Sequence, residues 1–210
     1  MARRAIEAAI EGGFHIVEFT LTTPGALALI SEFRSNKNLL TGAGTVLTVP
    51  QVREAKSAGA QFIVSPVGDP EVIAEASRQD MACIPGGSTP TELERLHRLG
   101  ADFVKLFPAP AGGVEFVQAV RAPLPHLRLF PTNGITVENF LDYLKAGCAG
   151  VGFARWLFDP HDLASGHFEA VQNRAGLVIR RFEDWRALAK PAPGGAPLSP
   201  VSVVPMKPAR

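Results

Sequence analysis

One pattern recurs through this chain and restricts its fold more than any other. A helical stretch closes on glycine, a short apolar run follows, then a loop rich in Gly, Pro and Thr, then the next helical stretch. The closing signal reads Glu-Gly-Gly at 11–13, Ser-Ala-Gly at 57–59, Arg-Leu-Gly at 98–100 and Lys-Ala-Gly at 145–147. Glycine just past the last turn ends a helix by taking the left-handed conformation. The apolar runs fall at 15–21, 39–42, 61–65, 81–84, 102–107, 127–130 and 150–153. Each is strand length, and their spacing of roughly 20–25 residues fits a strand plus a helix. Continuously apolar strands belong to a parallel sheet covered on both faces. Seven of them predict a (β/α)8 barrel, the TIM-barrel architecture, rather than an open sheet.

A closed barrel of this type has eight strands, and this sequence opens on a helix, so the first strand is unaccounted for. Either the sequence starts late, which is the expectation here, or the opening is filled from elsewhere. The one candidate for the second case is the run Val201-Ser202-Val203-Val204, beyond the linker KPAPGGAPLSP. The plainer reading is adopted: one barrel domain over 1–190 and a disordered Pro-rich tail over 191–210.

Composition excludes several classes of function. Formal net charge is +1, from 21 basic and 20 acidic residues, and the basic residues are scattered, so nucleic acid is not an expected partner. No apolar stretch reaches the ~18–20 residues of a membrane span, and the start lacks the apolar core of a signal peptide. Cys83 and Cys148 lie in apolar runs outside any CxxC pattern. A reduced, intracellular and cytoplasmic protein is expected.

Six lysines are present, and only Lys105 lies inside an apolar strand, Phe103-Val104-Lys105-Leu106-Phe107. Side chains alternate along a strand, so Phe103, Lys105 and Phe107 share one face. With Val104 and Leu106 turned to the helices, Lys105 points into the barrel near the C-terminal strand ends, where barrel active sites lie. Burial lowers the proton affinity of an amine and makes its nucleophilic form accessible. The bland alternative is a lysine reaching solvent at a strand end. Glu18 is the matching oddity, on the same face as Ile16 and Thr20. A carboxylate beside a lysine imine can shuttle protons; the bland alternative is a buried Glu18–Lys105 ion pair that only holds the barrel together.

Small-residue loops follow successive strands at the same end: Gly42-Ala43-Gly44-Thr45, Ser65-Pro66, Pro85-Gly86-Gly87-Ser88-Thr89, Pro131-Thr132-Asn133-Gly134 and Gly152-Phe153-Ala154-Arg155. The last two stand where barrel enzymes bind phosphate. The five histidines show no HxH or HExxH spacing, so no zinc site is expected. Neither a GxSxG elbow nor a GxGxxG turn occurs.

Six motifs, in order and spacing, resemble the 2-keto-3-deoxy-6-phosphogluconate (KDPG) and 4-hydroxy-2-oxoglutarate aldolases. They are Val17-Glu18-Phe19-Thr20-Leu21, Gly42-Ala43-Gly44-Thr45-Val46-Leu47, Ile63-Val64-Ser65-Pro66, Ile84-Pro85-Gly86, Val104-Lys105-Leu106-Phe107-Pro108 and Pro131-Thr132-Asn133-Gly134-Ile135. The likeness covers about residues 5–185, and the stretch 150–160 is closer to plant-type members. It implies a homotrimeric class I aldolase that needs no metal or cofactor and yields pyruvate and a phosphorylated aldehyde. By position it makes Lys105 the imine-forming lysine and Glu18 the general acid/base. It sets Thr45 and Pro66 beside the pyruvyl portion, Pro85 and Gly86 near its carboxylate, and Phe107 over the site. Thr132, Gly134 and Arg155 fall in the phosphate region.

Three positions depart from the family. Many members place Arg at Thr22, a phosphate-contacting Ser aligns near Arg155, and Asn133 replaces a glycine, which is expected to narrow the phosphate loop. Two other readings remain: a non-catalytic barrel that binds small 2-oxo acids, and a phosphate-binding barrel isomerase or decarboxylase.

Overall fold

The computed structural model describes residues 1–188 together with Ser202–Val203. Helices and parallel strands alternate along it: α1 (Ala2–Glu11), β1 (Ile16–Thr20), α2 (Ala26–Phe33), β2 (Leu40–Gly44), α3 (Val49–Ala58), β3 (Phe62–Val64), α4 (Pro70–Arg78), β4 (Ala82–Ile84), β5 (Gly86–Gly87), α5 (Pro90–Arg98), β6 (Val104–Leu106), α6 (Gly113–Arg121), β7 (Leu129–Pro131), α7 (Phe140–Lys145), β8 (Gly152–Phe153), α8 (Pro160–Ser165), α9 (Phe168–Leu188) and β9 (Ser202–Val203). The seven apolar runs all form strands. No described helix is long and apolar enough to cross a membrane.

Local chemistry sets the element boundaries. Thr48, Asp69, Thr89 and Asp159 each accept a backbone N–H at a helix start, and each of these helices carries proline in its first positions. Such caps satisfy amides that have no partner inside the helix. At the start of α5 the cap is reciprocal, with the Glu92 side chain returning to the Thr89 backbone. Gly59 closes α3 at φ 101°, a conformation that would strain a side-chain-bearing residue.

The strands pair in the order β4-β3-β2-β1-β9-β8 and β5-β6-β7. β4 and β5 are one chain run interrupted at Pro85, which has no N–H to give to a ladder. Hydrogen bonds cross both seams between the two groups. The Lys105 N–H donates to the Pro85 carbonyl (2.8 Å) and the Asp102 N–H to the Cys83 carbonyl (3.1 Å). On the other side the Ala149 N–H donates to the Leu129 carbonyl (2.9 Å), and Thr132 bridges Gly152. The pairings therefore run in one circuit.

One observation bears on the missing first strand and on the tail. Between β1 and β8 lies β9, which pairs in parallel with β1 on one side and β8 on the other. The disordered tail predicted over 191–210 otherwise lies outside the described residues, but at Ser202–Val203 the chain is a strand. The physical reason is that β1 and β8 would each present an unpaired row of N–H and C=O groups to the gap between them.

Alternation along the strands builds two apolar layers. Phe62, Val64, Ile84 and Phe130, with Ile16, Ala82 and Phe103, fill the barrel interior. Val17, Phe19, Ala43, Ile63, Cys83, Val104, Leu106 and Phe153 turn outward and pack under the helices. Phe153 is fully buried among the rings of Phe14, Phe140 and Trp156 (centroids 5.6–6.1 Å). Phe153→Ala removes the common partner of three rings and leaves a cavity. The expected loss is about 3–5 kcal/mol, read by denaturant unfolding; a loss under about 1 kcal/mol would contradict this packing.

Candidate active site

β1 and β6 carry the two ionisable side chains that point inward. Val17 and Phe19 are held in the outer layer, so Glu18 between them faces the barrel, where it is 3% exposed. Val104 and Leu106 do the same for Lys105, which is 6% exposed. The lysine therefore does not reach out to solvent. Its Nζ lies 4.6 Å from the centroid of the Phe107 ring, the residue two further along on the same face. The ring gives the ammonium a partner that does not neutralise it.

Each group changes the titration of the other. Burial pushes the Glu18 carboxyl up to about 7, with Lys105 pulling in the opposite direction. Burial also lowers the Lys105 ammonium below its ordinary range, opposed by Glu18. Desolvation disfavours the charged form of both, so their proton affinities converge. Among the described residues no ion pair within 4.0 Å joins them, so the pair is not a closed internal salt bridge. An acid near 7 and a lysine made easier to deprotonate suit proton transfer near neutral pH.

Glu18 owes its position to a residue whose part the sequence did not reveal. A methyl group on Gly44 would collide with the Glu18 carboxylate. The small residues of Gly42-Ala43-Gly44 were expected to admit a ligand; at Gly44 the space is taken by the Glu18 carboxylate itself. The signal that could have found it is pairing. Gly44 is the register partner of Thr20, so Glu18 leans along the barrel wall to the level of the residue two positions nearer the mouth. Thr20 is buried there, and its hydroxyl bonds those of Thr23 (3.0 Å) and Thr22 (3.2 Å). Thr22, where an arginine was the family expectation, is exposed and spends its hydroxyl on Thr20.

The other predicted residues gather at the C-terminal strand ends. Thr45 directly follows β2 with φ 56°, rare for a β-branched residue. Pro66 follows β3, and its carbonyl stands against Gly86 so closely that no side chain fits at Gly86. The Gly86 N–H donates to the Val67 carbonyl (3.3 Å). Pro85 and Gly86 are buried and Phe107 is half-buried, its N–H on the Gly87 carbonyl (3.2 Å). Thr132 is buried at the end of β7 with its N–H on the Leu106 carbonyl (3.2 Å).

Gly134 and Arg155 lie in exposed turns after β7 and β8. Asn139 Nδ2 holds the Gly134 carbonyl (2.9 Å). Asn133 adopts φ 70°, a conformation asparagine tolerates nearly as a glycine does, and its side chain is exposed. Asparagine here takes the left-handed turn that a glycine would take. Asp159, His161 and Asp162 form the one cluster of metal-ligand type among the described residues, but Asp159 caps α8 through the His161 and Asp162 amides.

The family model for KDPG and KHG aldolase matches residues 1–174. The 2-dehydro-3-deoxy-phosphogluconate aldolase of Treponema pallidum is 37% identical over 170 residues, covering 78% of this chain and 79% of that protein. The 2-dehydro-3-deoxy-6-phosphogalactonate aldolase of Escherichia coli is 36% identical over 183 residues, covering 85% and 87%. Among solved structures, KDPG aldolase from Legionella pneumophila, with pyruvate captured as a covalent carbinolamine, superposes with a TM-score of 0.77 at 30% identity, covering 84% of this chain and 87% of that one.

The raised Glu18 affinity has a consequence for stability. The folded state binds this proton up to about 7, against 4.5 for the ordinary carboxyl. Its contribution is therefore fully present below pH 4.5 and lost as pH rises through about 7. Unfolding free energy is expected to fall across that window and Glu18→Gln to flatten the fall, gaining about 1–3 kcal/mol at pH 8. Chemical denaturation at a series of pH values checks this; identical pH curves for both proteins would contradict it.

Proposed function

Because the chain belongs to the KDPG and KHG aldolase family, and with it to the Schiff-base carbon–carbon lyases, we propose that Lys105 is its imine-forming lysine and Glu18 its proton carrier. The observation that carries this assignment is the inward, buried pair on β1 and β6 with proton affinities driven together. The substrate is 2-keto-3-deoxy-6-phosphogluconate, cleaved to pyruvate and glyceraldehyde 3-phosphate, or a related 4-hydroxy-2-oxo acid, cleaved to pyruvate and the corresponding aldehyde.

The reaction follows from these groups. The neutral Lys105 amine adds to the C2 ketone. The Glu18 carboxyl gives its proton to the carbinolamine hydroxyl, which leaves as water, so that an iminium and the Glu18 carboxylate remain. That carboxylate then takes the proton of the C4 hydroxyl. The C3–C4 bond breaks, its electron pair moves into the iminium as an enamine, and the aldehyde leaves. Glu18 returns its proton to C3, and water hydrolyses the resulting iminium, freeing pyruvate and the Lys105 amine while the released proton goes back to Glu18. The covalent iminium is the electron sink, so the chemistry requires no metal.

The rim residues take the roles their positions allow. Thr45 and Pro66 border the pyruvyl portion, and Phe107 covers it while holding the Lys105 ammonium side. The Pro85-Gly86 turn offers a close backbone approach to the carboxylate. Thr132, Gly134 and Arg155 face the phosphate, with Arg155 able to donate two parallel N–H bonds. Assembly as a homotrimer and a cytoplasmic location belong to the same reading. Exposed Leu47 and Val67, in adjacent loops at this end, supply apolar surface for contact between copies.

Borohydride reduction in the presence of pyruvate is expected to fix one reduced pyruvate on the peptide that contains Lys105. Lys105→Ala should abolish the adduct and lower kcat at least about a thousandfold, and Glu18→Gln should lower kcat roughly 10²–10⁴-fold while still allowing an adduct. Adduct formation on the Lys105→Ala protein would sink the assignment. Arg155→Ala is expected to raise KM for the phosphorylated substrate roughly 10–100-fold, as loss of a charged hydrogen-bond pair does. Its KM for an unphosphorylated 4-hydroxy-2-oxo acid should be unchanged; an equal effect on both substrates would remove Arg155 from the phosphate site.

A further inference from the structure

The aldolase reading leaves the segment beyond α9 without a role. Two of its residues are placed by pairing on both sides. Ser202 is the register partner of Ile16 on β1 and of Gly152 on β8, and Val203 is the partner of Val17 and of Phe153. All of these pairings are parallel. The circuit is thereby sequential, each strand lying beside the one that precedes it in the chain, and β8–α8–α9–β9 is one more strand–helix–strand step of the same kind. Parallel neighbours joined through helices are the connection this architecture repeats.

The sequence of the segment supports a strand. Val201-Ser202-Val203-Val204 is rich in β-branched residues and lies between Pro200 and Pro205. Proline cannot donate to a ladder, so it delimits a strand at both ends. The 13 residues between Leu188 and Ser202 can span about 43–47 Å when extended. The 21-residue α9 is only about 31 Å long, so the connection does not restrict where the segment can insert.

We infer that the C-terminal segment is an integral strand of the catalytic barrel and acts as the positioning element of Glu18. This rests on the role assigned to Glu18 above. Val17, the residue before Glu18, is the partner of Val203. β2 holds β1 from one side, and β9 holds it from the other. Without β9, β1 becomes an edge strand, free to twist and open to water next to its inward carboxylate.

Two measurements test this. In the full chain, Ile16→Cys together with Ser202→Cys puts thiols on register partners, whose Cα separation of about 5 Å suits a disulfide. Cys83 and Cys148 do not compete, since both are buried and their thiols are pushed up to about 12. Mild oxidation is expected to join the two thiols within one chain, seen as a monomer on a non-reducing gel, with pyruvate trapping retained. A folded chain that forms no such bond, or forms it only between two chains, overturns the inference.

The second measurement compares the full chain with one ending at Leu188. The shortened chain should lose at least about tenfold in kcat, and the acid limb of its pH profile should move below 7 as water reaches Glu18. A synthetic peptide of residues 196–210 should restore both. A shortened chain with unchanged kcat and pH profile overturns the inference. If the shortened chain does not fold, the disulfide decides alone. If the full chain traps no pyruvate, the aldolase reading fails while the disulfide still reports where the strand lies.

Discussion

A carboxyl and an amine must both be kept out of water without being allowed to neutralise each other. That electrostatic requirement governs the end of this barrel where Glu18 and Lys105 lie. In solution each group would be charged and unreactive toward a ketone. Inside the barrel desolvation penalises both charges, moving the Glu18 carboxyl to about 7 and bringing the Lys105 ammonium down. A direct contact would restore the ordinary charges and cancel the effect. The architecture supplies both conditions. Strand alternation drives the two side chains inward from β1 and β6, which are not neighbours in the strand order.

Much of the surrounding design is a means of keeping that interior dry and occupied. Phe62, Phe103 and Phe130 fill part of the barrel interior with apolar rings. The Phe107 ring closes over the Lys105 Nζ. Gly44 leaves the volume into which Glu18 folds. Each of these residues adds to the burial that shifts the proton affinities of Glu18 and Lys105. This is the sense in which a hydrophobic core and an active site are built from the same alternating strands.

The sequence shows these features unequally. The seven strands were legible because continuous apolar runs between glycine-closed helices have few other solutions. Lys105 and Glu18 were legible because a charge within such a run conflicts with its surroundings. What escaped were features that depend on neighbours in space. Gly44 looks like any turn glycine until β1 is laid beside β2 in register. The space at Asn133 could not be judged without its backbone conformation. The interruption at Pro85 is hidden inside what reads as a strand followed by a loop. The short run at 201–204 carries too little signal to outweigh the Pro-rich linker before it, and only the open edges of β1 and β8 give it a place.

Thr45 holds a left-handed backbone at the end of β2, where a β-branched side chain is strained by roughly 1–3 kcal/mol. It stays there because the residues on both sides are tied down: the Gly44 carbonyl accepts from Leu21 (2.8 Å) and the Val46 N–H donates to Val64 (3.1 Å). Glycine at this position would relieve the strain and make the barrel sturdier. A chain that keeps threonine holds a hydroxyl and a methyl at a fixed point on the rim, and the tied backbone on either side bears the cost.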